Sequence, residues 1–151
     1  VALTETLPLQ VSQANRQRAV IVDLDGTLAT LVDRDPFEYA KCGSDKCNDL
    51  VADLMAHYAS QGHTVIIATG RPDSCHDLTV NWLVMNMVRY DLLFMRLEGD
   101  WRKDATFKTE LYHQAIEQFY DVKLCLDDRD SSVLAWRMLG LPCWQVAPGD
   151  F

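Results

Sequence analysis

The stretch AVIVDLDGT, residues 19–27, decides the fold. Four apolar residues, Ala19 to Val22, stop at Asp23, and Asp25, Gly26 and Thr27 follow almost at once. This pattern predicts a buried β-strand, Ala19 to Asp23, that ends in polar side chains, with Gly26 supplying the backbone freedom for a sharp turn. Two later segments stop in the same way, TVIIATGR at 64–71 and KLCLDDR at 123–129. Short β-rich runs alternating with longer helical stretches indicate βα units and a parallel sheet, so the fold class is α/β.

Working outward, further strands are expected at Thr64 to Ala68, Leu92 to Arg96, Lys123 to Leu126 and Cys143 to Val146. A helix is expected over Asp45 to Ser60, with Cys47, Leu50, Val51, Leu54 and Tyr58 on one face and Gly62 closing it. A second should run from Asp73 to Val88. A third should begin near Asp104, with Phe107, Leu111, Ala115 and Phe119 on a single face, and a fourth should span Ser131 to Leu139 before Gly140 and Pro142.

The chain has 151 residues, 48% of them hydrophobic and 24% charged, which suits one folded domain and excludes collagen-like or mainly disordered classes. That domain is expected over residues 18–151, behind a polar lead-in or linker over 1–17. The apolar runs are too short for a membrane span or a signal peptide, and five cysteines without a close CxxC pair suit a reduced, cytoplasmic setting. A net charge of −8 argues against a broad basic surface for nucleic acid, so any phosphate-bearing partner must be gripped locally.

If the strands are parallel, their polar ends lie side by side, where open α/β sheets bind ligands. Asp23, Asp25, Asp127 and Asp128 then converge. Clustered carboxylates repel one another unless a cation sits among them. An all-oxygen donor set favours a hard ion, Mg²⁺ before Ca²⁺ or Zn²⁺. One aspartate after a strand is usually only a turn or cap residue; it is the joint pattern that argues for a metal.

The segments VDLDGTLA, IATGR, the lysine within RKDATFK, and LDDR resemble the four motifs of the haloacid dehalogenase superfamily. The longer blocks WRKDATFKTELY, FYDVKLCLDDRDSSVLAWRMLG and CWQVAPGDF, with Arg34 after the first motif, resemble the 3′-phosphatase domain of phage polynucleotide kinase-phosphatases. The resemblance implies a Rossmann-like three-layer sandwich around a central parallel sheet, without a large cap. It makes Asp23 the nucleophile, Asp25 the general acid and base, and Thr69 and Lys108 the groups that bind the transferring phosphoryl. Mg²⁺ would be held by the Asp23 carboxylate, the Asp25 carbonyl and Asp128, with Asp127 acting through water or orienting Lys108. Asp104 is implied to orient basic side chains as well as start its helix.

Arg34 and Arg71 flank these motifs and are expected to contact phosphate or substrate, since a guanidinium grips phosphate with a planar fork. The gaps at Leu28 to Ser44 and Arg71 to Tyr90 hold a flap and a helix but no cap, so the site should be open to a polymer end. That favours nucleic-acid 3′-phosphate ends, DNA or RNA, with Trp101, Arg102 and Lys103 as contacts. A small-molecule phosphatase is the alternative, and a non-catalytic binding module is a third reading that the intact motif residues disfavour. His57, His63, His76 and His113 lack ligand spacing. No GxxxxGK[ST] loop is present, so a 5′-kinase would have to lie in a domain upstream of these residues, an expectation that the start at Val1 suggests.

Overall fold

The computed structural model of the chain describes residues 15–150. Five parallel strands form the central sheet: β1 (Gln17–Val22), β4 (Thr64–Pro72), β5 (Leu92–Arg96), β6 (Tyr120–Asp127) and β7 (Cys143–Gln145), in the order β5-β4-β1-β6-β7. A small antiparallel ribbon, β2 (Ala29–Thr30) with β3 (Lys46–Cys47), stands apart from it.

Alternation along the buried strands makes the three layers. Val20, Val22, Val65 and Ile67 point to one face, where Val51 and Met55 of α1 (Asp49–Ser60) and Trp82 and Leu83 of α2 (His76–Met85) cover them. Ala19, Ile21, Ile66 and Ala68 point to the other face and meet Tyr112, Ile116, Val133 and Trp136. Those residues belong to α3 (Asp104–Leu111) with its trailing turn, and to α4 (Asp130–Met138). Strands covered on both faces read as continuous apolar runs, which is why these were so plain in the sequence.

The chain moves outward from β1 through β4 to β5, then returns to the other side of β1 for β6 and β7. The reversal opens a crevice beyond the carboxyl ends of β1 and β6. Between β1 and α1 lie only the ribbon and a 3₁₀ turn, Tyr39–Ser44, and between β4 and β5 only a short 3₁₀ turn and α2, so no large cap covers that crevice.

Several boundaries differ from expectation. β1 begins at Gln17, while residues 1–14 of the expected lead-in lie outside the described residues. Helix α1 starts at Asp49 rather than Asp45, because Lys46 and Cys47 pair with Thr30 and Ala29 instead. Leu50 faces solvent at 81% exposure, and Met55 takes the core position. α2 stops at Met85, where Met87 adopts a left-handed backbone. After α3 a single π turn, Tyr112–Ile116, rotates the apolar face, so Tyr112 and Ile116 are buried and Phe119 is 52% exposed. Among the described residues, all five cysteines are free thiols and no helix is long and apolar enough to cross a membrane.

Candidate active site

Asp23 is the first residue past β1, and its N–H still donates to the Leu126 carbonyl at 2.9 Å, so the sheet fixes its position. Leu24 turns into the core, and Gly26, at φ +87°, folds the chain back. A Cβ on Gly26 would lie 2.1 Å from the Asp128 Oδ2, so glycine is required by close approach as well as by backbone angle. The Thr27 hydroxyl then donates to the Asp128 Oδ1 at 3.2 Å. Thus the five residues of DLDGT join the ends of β1 and β6.

Lys108 lies one turn along α3 from Asp104 and is buried, contrary to the exposed position usual for lysine. Its ammonium meets Asp23 at 2.8 Å, Asp104 at 2.8 Å and Asp127 at 2.7 Å, which engages all three donors. The Asp127 Oδ2 also accepts from the Trp136 indole at 3.0 Å. Asp104 accepts from the Ser132 hydroxyl at 2.8 Å and from Arg96 at 3.1 Å.

Carboxylate oxygens of Asp23, Asp127 and Asp128 lie within 4.8 Å of one another. Burial pushes the Asp23 carboxyl well above its ordinary value; Lys108 opposes this without cancelling it, and Asp127 adds to it. Burial, then the charge of Asp127, pushes Asp128 up to about 6. Asp104 goes the other way: burial raises it, but Lys108 overcomes that and holds it down at about 2. Lys108 itself loses solvation on burial, yet three carboxylates keep its proton bound more tightly than usual. The excess negative charge and the all-oxygen donors fit a hard divalent cation such as Mg²⁺.

Asp25 does not join this cluster as the sequence reading expected. Its carboxylate is held by Arg71, Nε to Oδ2 at 2.8 Å and Nη2 to Oδ1 at 2.7 Å, and by Arg34. Both arginines also engage Asp45, whose backbone carbonyl accepts from the Trp82 indole at 2.8 Å. Their side chains are fully buried, so neither forms a surface salt bridge, and the guanidinium forks expected on substrate phosphate lie on Asp25 and Asp45 instead. The Thr69 hydroxyl accepts from the Arg71 N–H at 3.2 Å and still has its own proton to donate.

Asp23, Asp25, Thr69, Asp104 and Asp128 line an open cavity of about 690 Å³, bordered by the 31–44 flap and the 97–103 loop. Lys108 and Asp127 stand behind these groups, outside the lining. Trp101 lies on the 97–103 loop, exposed rather than packed beneath it. His57, His76 and His113 have ring or carboxylate neighbours away from the cavity. Sequence reasoning did not find Asp45, Arg96, Ser132 or Trp136. Thr27 sat inside the quoted motif, but the other four carry no local signal and act only through partners brought by the fold.

Over residues 17–151 the chain matches the family described as the polynucleotide kinase PNKP phosphatase domain. It is 31% identical over 128 residues to a protein of Autographa californica nuclear polyhedrosis virus whose name reads bifunctional polynucleotide kinase/RNA ligase, covering 83% of this chain and 18% of that protein. A chain in the structure of the Pnkp1/Rnl/Hen1 RNA repair complex superposes with a TM-score of 0.89 at 41% identity, over 99% of this chain and 49% of the other. The present chain therefore spans about half of that relative and less than a fifth of the viral one. A HAD-like phosphatase from Mesorhizobium loti shares the fold, with a TM-score of 0.62 at 17% identity over 86% of this chain and 72% of its own.

Proposed function

The chain belongs to the polynucleotide kinase PNKP phosphatase domain family of the haloacid dehalogenase superfamily, and from that premise we propose that it is a Mg²⁺-dependent 3′-phosphatase of polynucleotide ends, acting in nucleic-acid end healing. One observation carries the reading. Asp23 stands at the end of the central strand on an uncapped cavity, with Lys108 behind it and Asp128 beside it. Relatives named for an RNA repair complex and for a polynucleotide kinase/RNA ligase favour RNA ends over DNA. They also suggest that 5′-kinase and ligase activities act on the same break from other domains or chains.

In this reading the Asp23 carboxylate attacks phosphorus, an acyl-phosphate bond forms, and the bond from phosphorus to the 3′ oxygen breaks. Asp25 delivers a proton to the departing 3′ oxygen, then takes one from the water that hydrolyses the aspartyl-phosphate, releasing inorganic phosphate. The Thr69 hydroxyl donates to a phosphoryl oxygen, and Lys108 offsets charge from behind Asp23. Arg34 and Arg71 aim the Asp25 carboxylate, and Asp104 and Asp127 aim Lys108. The Asp23 and Asp128 carboxylates and the Asp25 carbonyl would hold Mg²⁺, which would supply neutralisation of the phosphate charge.

The test is phosphate release from a 3′-phosphorylated oligonucleotide, its 5′-phosphorylated isomer and a 3′-mononucleotide, with Mg²⁺ or a chelator, by wild type and Asp23→Asn. Metal-dependent release from the 3′ end of the oligonucleotide, lost in the variant, is the expected result. Cleavage of the mononucleotide as fast as the oligonucleotide would move the substrate class to small molecules.

A further inference from the structure

The cavity mouth differs in kind from its acidic depth. Phe37 of the flap is 69% exposed and Trp101 of the 97–103 loop is 90% exposed, and both line the cavity. Each ring stands on a pinned backbone. Arg96 donates to the carbonyls of Asp100, at 3.4 Å, and Arg102, on either side of Trp101, and the Arg102 N–H donates to the Asp100 carboxylate at 3.0 Å. Before Phe37, Arg34 reaches the Pro36 carbonyl at 3.3 Å, and after it the Glu38 N–H donates to the Asp35 carbonyl at 3.0 Å. Tyr39 packs edge-on against Phe37, ring centroids 6.5 Å apart. Tyr39 lines the same cavity, so the flap borders the site. Exposed rings on a fixed backbone are preorganised to stack on a planar ligand.

Charge argues in the same direction. Lys41 faces Glu38, Arg102 is held by Asp100 and Glu110, and Arg96 by Asp104, while Lys103 and Arg129 also line the cavity, in a chain of net charge −8. Three of these cations are thus already engaged by carboxylates, which limits the pull of the mouth on backbone phosphates. Base stacking on aromatic side chains depends on no such charge and accepts any base.

We propose that Phe37 and Trp101 form a stacking clamp for the unpaired terminal base of a polynucleotide 3′ end. This rests on the polynucleotide reading above and deepens it: the end is recognised in part by a stack on its last base, whatever that base is. A base-paired end already has that base engaged and must unpair it to enter.

The experiment measures KM for two single-stranded 3′-phosphorylated oligonucleotides, identical except that the terminal nucleotide carries a base or is abasic, with wild type, Trp101→Ala, Phe37→Ala and Trp101→Tyr. The wild type is expected to show a KM about tenfold or more higher for the abasic strand. The two KM values should converge in Trp101→Ala and Phe37→Ala, and separate again in Trp101→Tyr, which keeps a ring. Equal KM values in the wild type, or an undiminished preference in Trp101→Ala, would overturn the clamp while leaving the polynucleotide reading intact. Inactivity on both strands with cleavage of small phosphomonoesters would overturn both readings. The wild-type comparison stands even if a variant fails to fold.

Discussion

Asp23 and Asp25 are two residues apart, yet they enter different buried charge clusters. Asp23, Asp104, Asp127 and Asp128 gather around Lys108, with Arg96 on Asp104 and the charge of Arg129 also acting there, so four carboxylates still outnumber these three cations. Asp25 and Asp45 meet Arg34 and Arg71, two against two. Buried charge is costly unless paired, so the second cluster is balanced and acts as a brace between flap and sheet. The first keeps an excess of negative charge, visible in the raised Asp23 and Asp128 carboxyls, and that excess is what a cation would relieve. A five-residue motif thus feeds its first carboxylate to an unbalanced cluster and its second to a charge-balanced clasp that holds it at the cavity.

The two clusters should respond in opposite ways to the same kind of substitution. The largest effect is expected for Asp23→Asn, which removes the nucleophile and should lower phosphate release by more than about 10⁴-fold in single-turnover assays. Residual activity close to wild type would mean that another group attacks. Next comes Asp45→Asn. It leaves two buried guanidinium groups with one carboxylate and should lower the unfolding free energy by about 3–5 kcal/mol in urea titrations. Unchanged stability would show that the clasp does not need Asp45.

In the unbalanced cluster the sign should reverse. Asp128→Asn removes excess charge and should stabilise the metal-free protein by about 0.5–2 kcal/mol near neutral pH, while activity is lost. Destabilisation of that variant would undo the comparison. The smallest effect is its pH dependence. The folded Asp128 value of about 6 lies above its ordinary 3.8. Its contribution to metal-free stability is therefore fully present below the ordinary value and lost as pH rises through about 6. The advantage of Asp128→Asn should shrink as pH falls across that window. By the same sign, Mg²⁺ should raise the melting temperature by a few degrees near pH 7.5 and by less near pH 5. An equal shift at both values would place metal binding elsewhere.

Much of this was legible from local pattern. Three apolar runs ending in Asp or Thr placed β1, β4 and β6, and Gly26 marked the turn that presents Asp25. The meeting of Asp23, Asp127 and Asp128 followed once the strands were parallel and adjacent, though Asp25, expected with them, turned to Arg34 and Arg71. Helix faces were less legible: Leu50 and Phe119 fitted the apolar spacing, but ribbon pairing at Lys46 and Cys47 and the π turn after Leu111 changed which side faces the core.

The sequence by itself determined the α/β class, the adjacency of the motif-bearing strand ends and the type of donor gathered there, because strand periodicity and turn chemistry act over a few residues. Only the tertiary structure decided who partners whom. Lys108 reaches Asp23 across 85 positions and Arg71 reaches Asp25 across 46. No local signal told a buried lysine from an exposed one, or a clasp arginine from one facing phosphate. Burial removes water as the alternative partner, so each charge must take the carboxylate that the packed layers place beside it.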